Sequence, residues 1–215
     1  DAVQMLVERD LLIKISDDEY SFKSSIARDV IYEAILLSNR KMLHLEIGNL
    51  IEEHYDESLD SYYYELAEHF DRSNEYDKAL VYLEKSGDKA RQMYNNKLAA
   101  DFYTRLSDIY KNSDYTGNIL ALEQNNWKIQ NTNESKMLSS FLKYELLRGD
   151  MLTIIGKWDV AESVLSKALL PAKVDVDPLR YPACASKLAE VCRVNNNFKE
   201  SRKWLSTGIA DCKKH

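Results

Sequence analysis

The chain has 215 residues, of which 45% are hydrophobic and 30% are charged, a balance typical of a protein with one or two domains and a buried core. It contains 6 glycines and 3 prolines, well below the average shares of about 7% and about 5%. So few turn-forming residues exclude collagen-like and low-complexity chains and disfavour all-β and doubly wound folds. The composition therefore predicts an all-α fold.

The charge and the cysteines restrict the class of partner. A net charge of −6 argues against nucleic acid, because phosphates need clustered cations. No stretch approaches the 18 or so apolar residues of a membrane span, so we expect no membrane contact. Cys184, Cys192 and Cys212 form no CxxC pair, which is typical of reduced thiols and predicts a cytoplasmic location. The first residues, Asp1 and Ala2, resemble no leader, and we interpret the chain as part of a longer protein.

The first 23 residues predict a short helix followed by a β-hairpin. Apolar residues recur at helical spacing at Val3, Leu6 and Val7. β-Formers follow in residues 11–15, and after a polar turn residues 20–23 alternate between apolar and polar. A helix followed by a small hairpin is typical of the back half of a winged helix.

Residues 25–55 predict two further helices that are broken near Ser38-Asn39. Each helix is expected to bury one apolar stripe. The first stripe is Val30, Ile31, Ala34, Ile35 and Leu37, and the second is Leu43, Ile47, Leu50 and Ile51.

Two segments here resemble signalling ATPases of the STAND type. Residues 22–36 (FKSSIARDVIYEAIL) resemble the family segment FxHxLxRExxYExLL, with Ser24 in place of its histidine, and residues 40–47 (RKMLHLEI) resemble RRxLHxxIA. In that family a P-loop ATPase module leads into a winged helix and then into helical repeats. A class III adenylate cyclase, a protein kinase or a transcription-factor domain often lies elsewhere in such chains. The resemblance implies an architecture and no particular reaction.

The residues after 60 carry a recurring order of large and small side chains. The first copy is Leu66, Ala67, Phe70, Tyr76, Ala79, Leu83 and Ser86; the second is Gly149, Leu152, Trp158, Ala161, Leu165 and Ala168; the third is Leu188, Ala189, Cys192, Phe198, Ser201, Leu205 and Gly208. A compressed pair follows the first copy, at Ala90, Ala99, Tyr103 and Leu106. This order resembles the 34-residue tetratricopeptide (TPR) pattern.

The TPR resemblance implies an antiparallel helix-pair solenoid. Small residues let paired helices approach, and neighbouring pairs stack because none buries its apolar face alone. We expect three or four pairs, irregular between residues 90 and 140, with one helix near residues 119–129. The chain then divides into residues 1–57, the end of a winged helix with linking helices, and residues 58–215, the repeats.

The repeat register predicts the residues that line the concave surface. They are Tyr64, Glu68, Asp71, Arg72, Leu146, Asp150, Ile154, Glu190, Arg193 and Val194. Because this set is more acidic than basic, it favours a protein or peptide partner that carries Lys or Arg, or another domain of the same chain.

The sequence offers no catalytic constellation and no cofactor or metal site. Gly149 and Gly156 are spaced wrongly for a phosphate loop, and Trp158 occupies the place of its Ser or Thr. His44, His54 and His69 show no zinc-binding spacing. We expect no binding of ATP by this chain.

Two readings of the function remain open. The first is a non-catalytic interaction and regulatory scaffold of a larger signalling ATPase. The alternative is a ligand-sensing regulatory segment of a transcriptional regulator or nucleotide cyclase. DNA binding by the winged-helix remnant is disfavoured, because its turn carries Asp17, Asp18 and Glu19 where phosphate contact needs cations.

Overall fold

The structure, a computed structural model, describes residues 2–17, 19–111, 132–173 and 177–214. Helices account for 81% of it, and a two-stranded hairpin is the β structure found in that part of the chain. The predicted all-α fold with one small hairpin is confirmed. The helix predicted near residues 119–129 and Asp18 of the turn lie outside the described residues.

The helices and strands follow one another with short connections. The first unit comprises α1 (Ala2–Glu8), β1 (Leu12–Lys14), β2 (Tyr20–Phe22), α2 (Ser25–Ala34) and α3 (Leu37–His54). The two strands are antiparallel, with Ile13 opposite Ser21. A 3₁₀ segment (Asp56–Tyr62) then leads to α4 (Tyr63–Ser73), α5 (Tyr76–Gln92), α6 (Asn96–Lys111), α7 (Thr132–Ile154), α8 (Trp158–Ala172), α9 (Arg180–Val194) and α10 (Phe198–Cys212).

Four of the helix-to-helix turns are built alike. Each contains one residue with a positive φ, namely Asn74, Tyr94, Gly156 and Asn196. The next amide donates to the carbonyl five residues earlier, as in Asn197 N to Cys192 O at 2.7 Å. The same bond joins Glu75 to Phe70, Asn95 to Ala90 and Lys157 to Leu152. This left-handed C-terminal motif satisfies carbonyls that a helix end leaves open, and it gives the four connections the same local geometry.

Small residues set the close approach of neighbouring helices. Gly48 faces the ring of Phe70, Gly87 faces Tyr103, and Gly149 faces Leu165, each too closely for an added Cβ. Most residues of the predicted register are fully or nearly fully buried: Leu66, Ala67, Phe70, Ala79, Leu83, Ser86, Ala161, Leu165, Ala168, Leu188, Ala189, Cys192 and Ser201.

Three residues of the register are more exposed than predicted. Trp158 is 38% exposed, Phe198 62% and Leu205 46%. Trp158 and Phe198 each begin a helix, so their side chains lie at the rim of the stack. Leu205 lies in α10, on a side that no described helix covers.

The helices alternate between two rows. Ion pairs join α3 to α5 through Glu52 and Lys78, and α5 to α7 through Glu84 and Lys143. A third pair, Asp150 with Lys187, joins α7 to α9. The helices α4 and α6 belong to the other row, in which Arg105 reaches Asp71 at 2.6 Å.

The first unit differs from its predicted packing. The break between α2 and α3 falls at Ile35 and Leu36, whose extended ψ angles of 131° and 140° end one helix before the next begins. The predicted stripes are largely exposed, as shown by Val30 at 64% and Ile47 at 41%. Helix α2 contacts β2, and Tyr32 joins it to α3 and α4, with a further ion pair between Glu33 and Arg40 of α3. Helix α3 packs on α4 with its Gly48 side.

Candidate functional site

An open groove of about 460 Å³ runs between α4 and α6. The ring of Tyr64 stacks on that of Phe102 with centroids 5.3 Å apart, which gives the groove an aromatic floor. The residues that line it are Tyr64, Glu65, Glu68, His69, Leu98, Asp101, Phe102 and Arg105. We call this surface the acidic groove, since three of its residues are carboxylates and one is a guanidinium.

The guanidinium of Arg105 is neutralised inside the fold. It donates to Asp71 at 2.6 and 2.8 Å and lies 3.1 Å from a carboxylate oxygen of Glu68. Burial alone would raise the pKa of Glu68, but the hydrogen bond from Arg72 and the charges of Arg105 and Arg72 outweigh burial and lower that pKa. Glu68 is therefore ionised at neutral pH, and together with Asp71 it balances the charges of Arg72 and Arg105.

Two carboxylates at the edge of the acidic groove remain available. Glu65 and Asp101 are exposed, and neither makes an ion pair with any residue in the described part of the chain. They are the groups that an incoming cation would meet first.

A chain of hydrogen bonds connects this groove with α2. Arg72 donates to the hydroxyl oxygen of Tyr32 at 3.0 Å, and that hydroxyl lies 2.9 Å from Nε2 of His44. Nδ1 of His44 lies 3.0 Å from Nδ1 of His69. If Tyr32 donates to Nε2, neutral His44 carries its proton on Nδ1 and donates it to His69, so every group finds a partner.

Both histidines resist protonation. Burial lowers the pKa of His44, and the neighbouring His69 and Arg72 lower it further. Burial also lowers the pKa of His69, although the nearby Glu68 opposes the shift. The pair is consequently neutral at physiological pH.

A second groove lies on the adjacent flank of α6, against the end of α7. Its residues are Asn95, Lys97, Leu98, Ala100, Asp101, Thr104, Leu152, Ile155 and Lys157. It shares Leu98 and Asp101 with the acidic groove, so the two are contiguous across α6. We call it the lysine groove, after Lys97 and Lys157.

The residues predicted to line the concave surface are divided by the structure. Tyr64 and Glu68 line the acidic groove. Asp71 binds Arg105, and Arg72 binds Glu68 and Tyr32.

The predicted residues of α7 and α9 lie elsewhere. Leu146 is 6% exposed and belongs to the core, while Asp150 is paired with Lys187. Ile154 is 61% exposed beside the lysine groove. On α9, Glu190 and Arg193 are exposed and Val194 is partly buried.

These ten residues do not form one continuous surface. Those of α4 belong to one row of helices, and those of α7 and α9 belong to the other. The predicted repeat pattern treated α4 and α7 each as the first helix of a pair. In the structure α6 packs directly on α7, so α7 lies in the row of α3 and α5 and not in the row of α4.

The contribution of α6 was missed because its repeat is compressed. Leu98, Asp101, Phe102 and Arg105 recur at i, i+3, i+4 and i+7, the spacing of one helical face. That stripe was a usable signal. The pairing of His44 with His69 had none, because 25 residues separate them.

The described residues contain no group of three or more His, Cys, Asp or Glu side chains that could hold a metal ion. Cys184 and Cys192 are buried, and burial raises the pKa of the Cys192 thiol. None of the described helices is long and apolar enough to cross a membrane.

The chain matches no protein-family model, no curated protein and no solved structure. The resemblances to STAND-type ATPases and to TPR repeats therefore stay predictions.

Proposed function

We propose that this chain is a non-catalytic protein-interaction region whose acidic groove binds a peptide or protein segment that carries Lys or Arg. The observation that carries the proposal is the groove itself. Its floor is aromatic, its one guanidinium is neutralised internally, and Glu65 and Asp101 remain exposed at its edge. Complementary charge of this kind steers association and selects the partner.

The same groove supports a regulatory variant of this function. The hydrogen bonds from His69 through His44 to Tyr32 connect the groove with α2. A partner that displaces His69 would disturb the attachment of α2. This favours the alternative of a ligand-sensing segment in a transcriptional regulator or nucleotide cyclase, within the STAND-like architecture that the sequence resembles.

Binding of matched peptides tests the proposal. Two labelled peptides that differ only in Lys against Glu are titrated against the protein, and fluorescence anisotropy is recorded at low and high salt. We expect the lysine peptide to bind and the glutamate peptide not to bind. The affinity of the lysine peptide should fall as the salt concentration rises, since exposed charges are screened.

A charge reversal locates the site. Glu65→Lys should weaken lysine-peptide binding, whereas the matched reversal Glu190→Lys on α9 should leave it unchanged. Equal binding of the two peptides would contradict the proposal. Loss of binding in the α9 variant alone would move the site to the other row of helices.

A further inference from the structure

The two grooves beside α6 differ in the sign of their charge, since the lysine groove holds two lysines against one carboxylate, the shared Asp101. In the lysine groove, Lys97 and Lys157 are exposed and make no ion pair within the described ranges. Between them lies an apolar floor formed by Leu98, Leu152 and Ile155. This end of the surface is complementary to a carboxylate attached to an apolar stem.

The geometry of the helices sets the distance between the two ends. Packed helices lie about 8–10 Å apart, and the two grooves lie on neighbouring flanks of α6, so we take about one helix width, roughly 10 Å, as the separation of the two ends. An extended polyproline-type segment rises about 3.1 Å per residue with three residues per turn, so side chains i and i+3 face the same way about 9 Å apart. The two distances agree.

We propose that the grooves form one bipartite site for an extended segment with a Lys or Arg and, three residues away, an Asp or Glu. The inference rests on the proposed function and specifies its ligand. The cationic side chain lies in the acidic groove near Glu65, and the anionic one lies near Lys97 and Lys157. The backbone of the segment crosses α6 over Leu98 and Asp101, which both grooves share.

The charge pattern also rejects other segments. A peptide with two cations at this spacing would bring its second cation against Lys97 and Lys157. Such like-charge contacts contribute to specificity by weakening the wrong complex.

A series of peptides measures the spacing. The peptides have identical composition and place one Lys and one Glu at i,i+1 or at i,i+3, in both orders, and a further peptide has two Lys at i,i+3. Anisotropy titrations are carried out at about 50 mM salt, where surface charge is least screened. We expect one i,i+3 order to bind about three- to fivefold tighter than the i,i+1 peptides, the gain that one exposed ion pair provides.

An exchange of charge identifies the second groove. Lys157→Glu should weaken the tighter i,i+3 Lys/Glu peptide about threefold and strengthen the Lys/Lys peptide by a similar factor. The control Lys199→Glu on α10 makes the same charge change outside both grooves and should alter neither peptide. Circular dichroism verifies that both variants fold.

The outcomes separate the two proposals. If all lysine-containing peptides bind equally and Lys157→Glu has the same effect as the control, the bipartite site is wrong, while binding in the acidic groove stands. If no lysine-containing peptide binds, the proposed function itself is wrong.

Discussion

Gly149 shows how one residue determines the distance between two helices. A Cβ added there would lie 2.7 Å from Cδ2 of Leu165, a side chain that is fully buried. A Cβ added at Gly208, on α10, would lie 3.4 Å from Cβ of Ala185, an ordinary contact. Both glycines lie within helices, so the two positions differ in available space rather than in backbone conformation.

This contrast predicts opposite effects of the same substitution. Replacing a helical glycine by alanine gains up to about 1 kcal/mol of helix propensity. Gly208→Ala should therefore raise the free energy of unfolding. In Gly149→Ala an overpacking cost of about 1–3 kcal/mol exceeds that gain, and the free energy of unfolding should fall. Denaturant titrations of the two variants check the signs; equal shifts would contradict the assigned contact between α7 and α8.

The sequence predicted such contacts well where small and large residues alternate. Gly149, Ala161 and Leu165 were expected between paired helices and are buried there. Leu146 was expected on the open surface, but it is buried. The spacing of residues along the chain predicts which of them share a helix face. Which neighbouring helix covers that face depends on the packing of α6 on α7.

At the scale of elements, turns and apolar stripes carry different kinds of information. The sequences at Asn74, Gly156 and Asn196 favour a left-handed residue, and each ends a helix as such residues do. The stripes of α2 and α3 indicated amphipathic helices, and both helices form. Periodicity predicts which side of a helix is apolar, but it does not predict which element covers that side. Val30 and Ile47 of these stripes are exposed.

The histidine pair between α3 and α4 predicts a dependence of stability on pH. The folded chain lowers the pKa of His44 and His69 below the ordinary value of 6.5. Below that pH the unfolded chain binds more protons than the folded chain, so the free energy of unfolding falls as pH decreases. Well above pH 6.5 both states hold neutral histidines and this contribution is constant.

Melting temperatures between pH 7.5 and 5.5 test the histidine pair. The wild-type protein should lose more thermal stability over this interval than His69→Gln, because glutamine keeps a hydrogen-bonding group without titrating. His54→Gln changes an exposed histidine of α3 and should follow the wild type. A wild-type slope in His69→Gln would show that the pair is not the source of the pH dependence.

At the scale of the whole molecule, the packing divides the chain before α3, whereas the sequence predicted a boundary after it. α3 was assigned to the first unit, yet it packs on α4 through Gly48 and pairs with α5 through Glu52. The elements before it contain no buried residue in their described parts. The continuous stack thus begins at α3, and the hairpin with α1 and α2 is attached to it by few contacts.

The cations of this attached unit are mostly engaged with carboxylates. Lys14 lies 2.8 Å from Asp17, Lys23 binds Asp10, and Arg28 lies 2.8 Å from Asp29. A cation that already has an intramolecular partner must give it up before it contacts a phosphate. Together with the net charge of −6, these pairs oppose DNA binding by this unit.

We therefore expect no binding to duplex DNA. Affinity for the backbone grows with each phosphate that is neutralised and is greatest at low salt, so a labelled random duplex at about 50 mM salt is the most permissive probe. Fluorescence anisotropy should stay flat up to micromolar protein. The double variant Asp17→Asn with Asp10→Asn releases Lys14 and Lys23 from their partners, and any weak binding that it shows should vanish as salt is raised. Salt-sensitive micromolar binding by the wild type would contradict the prediction and favour a role in transcriptional regulation.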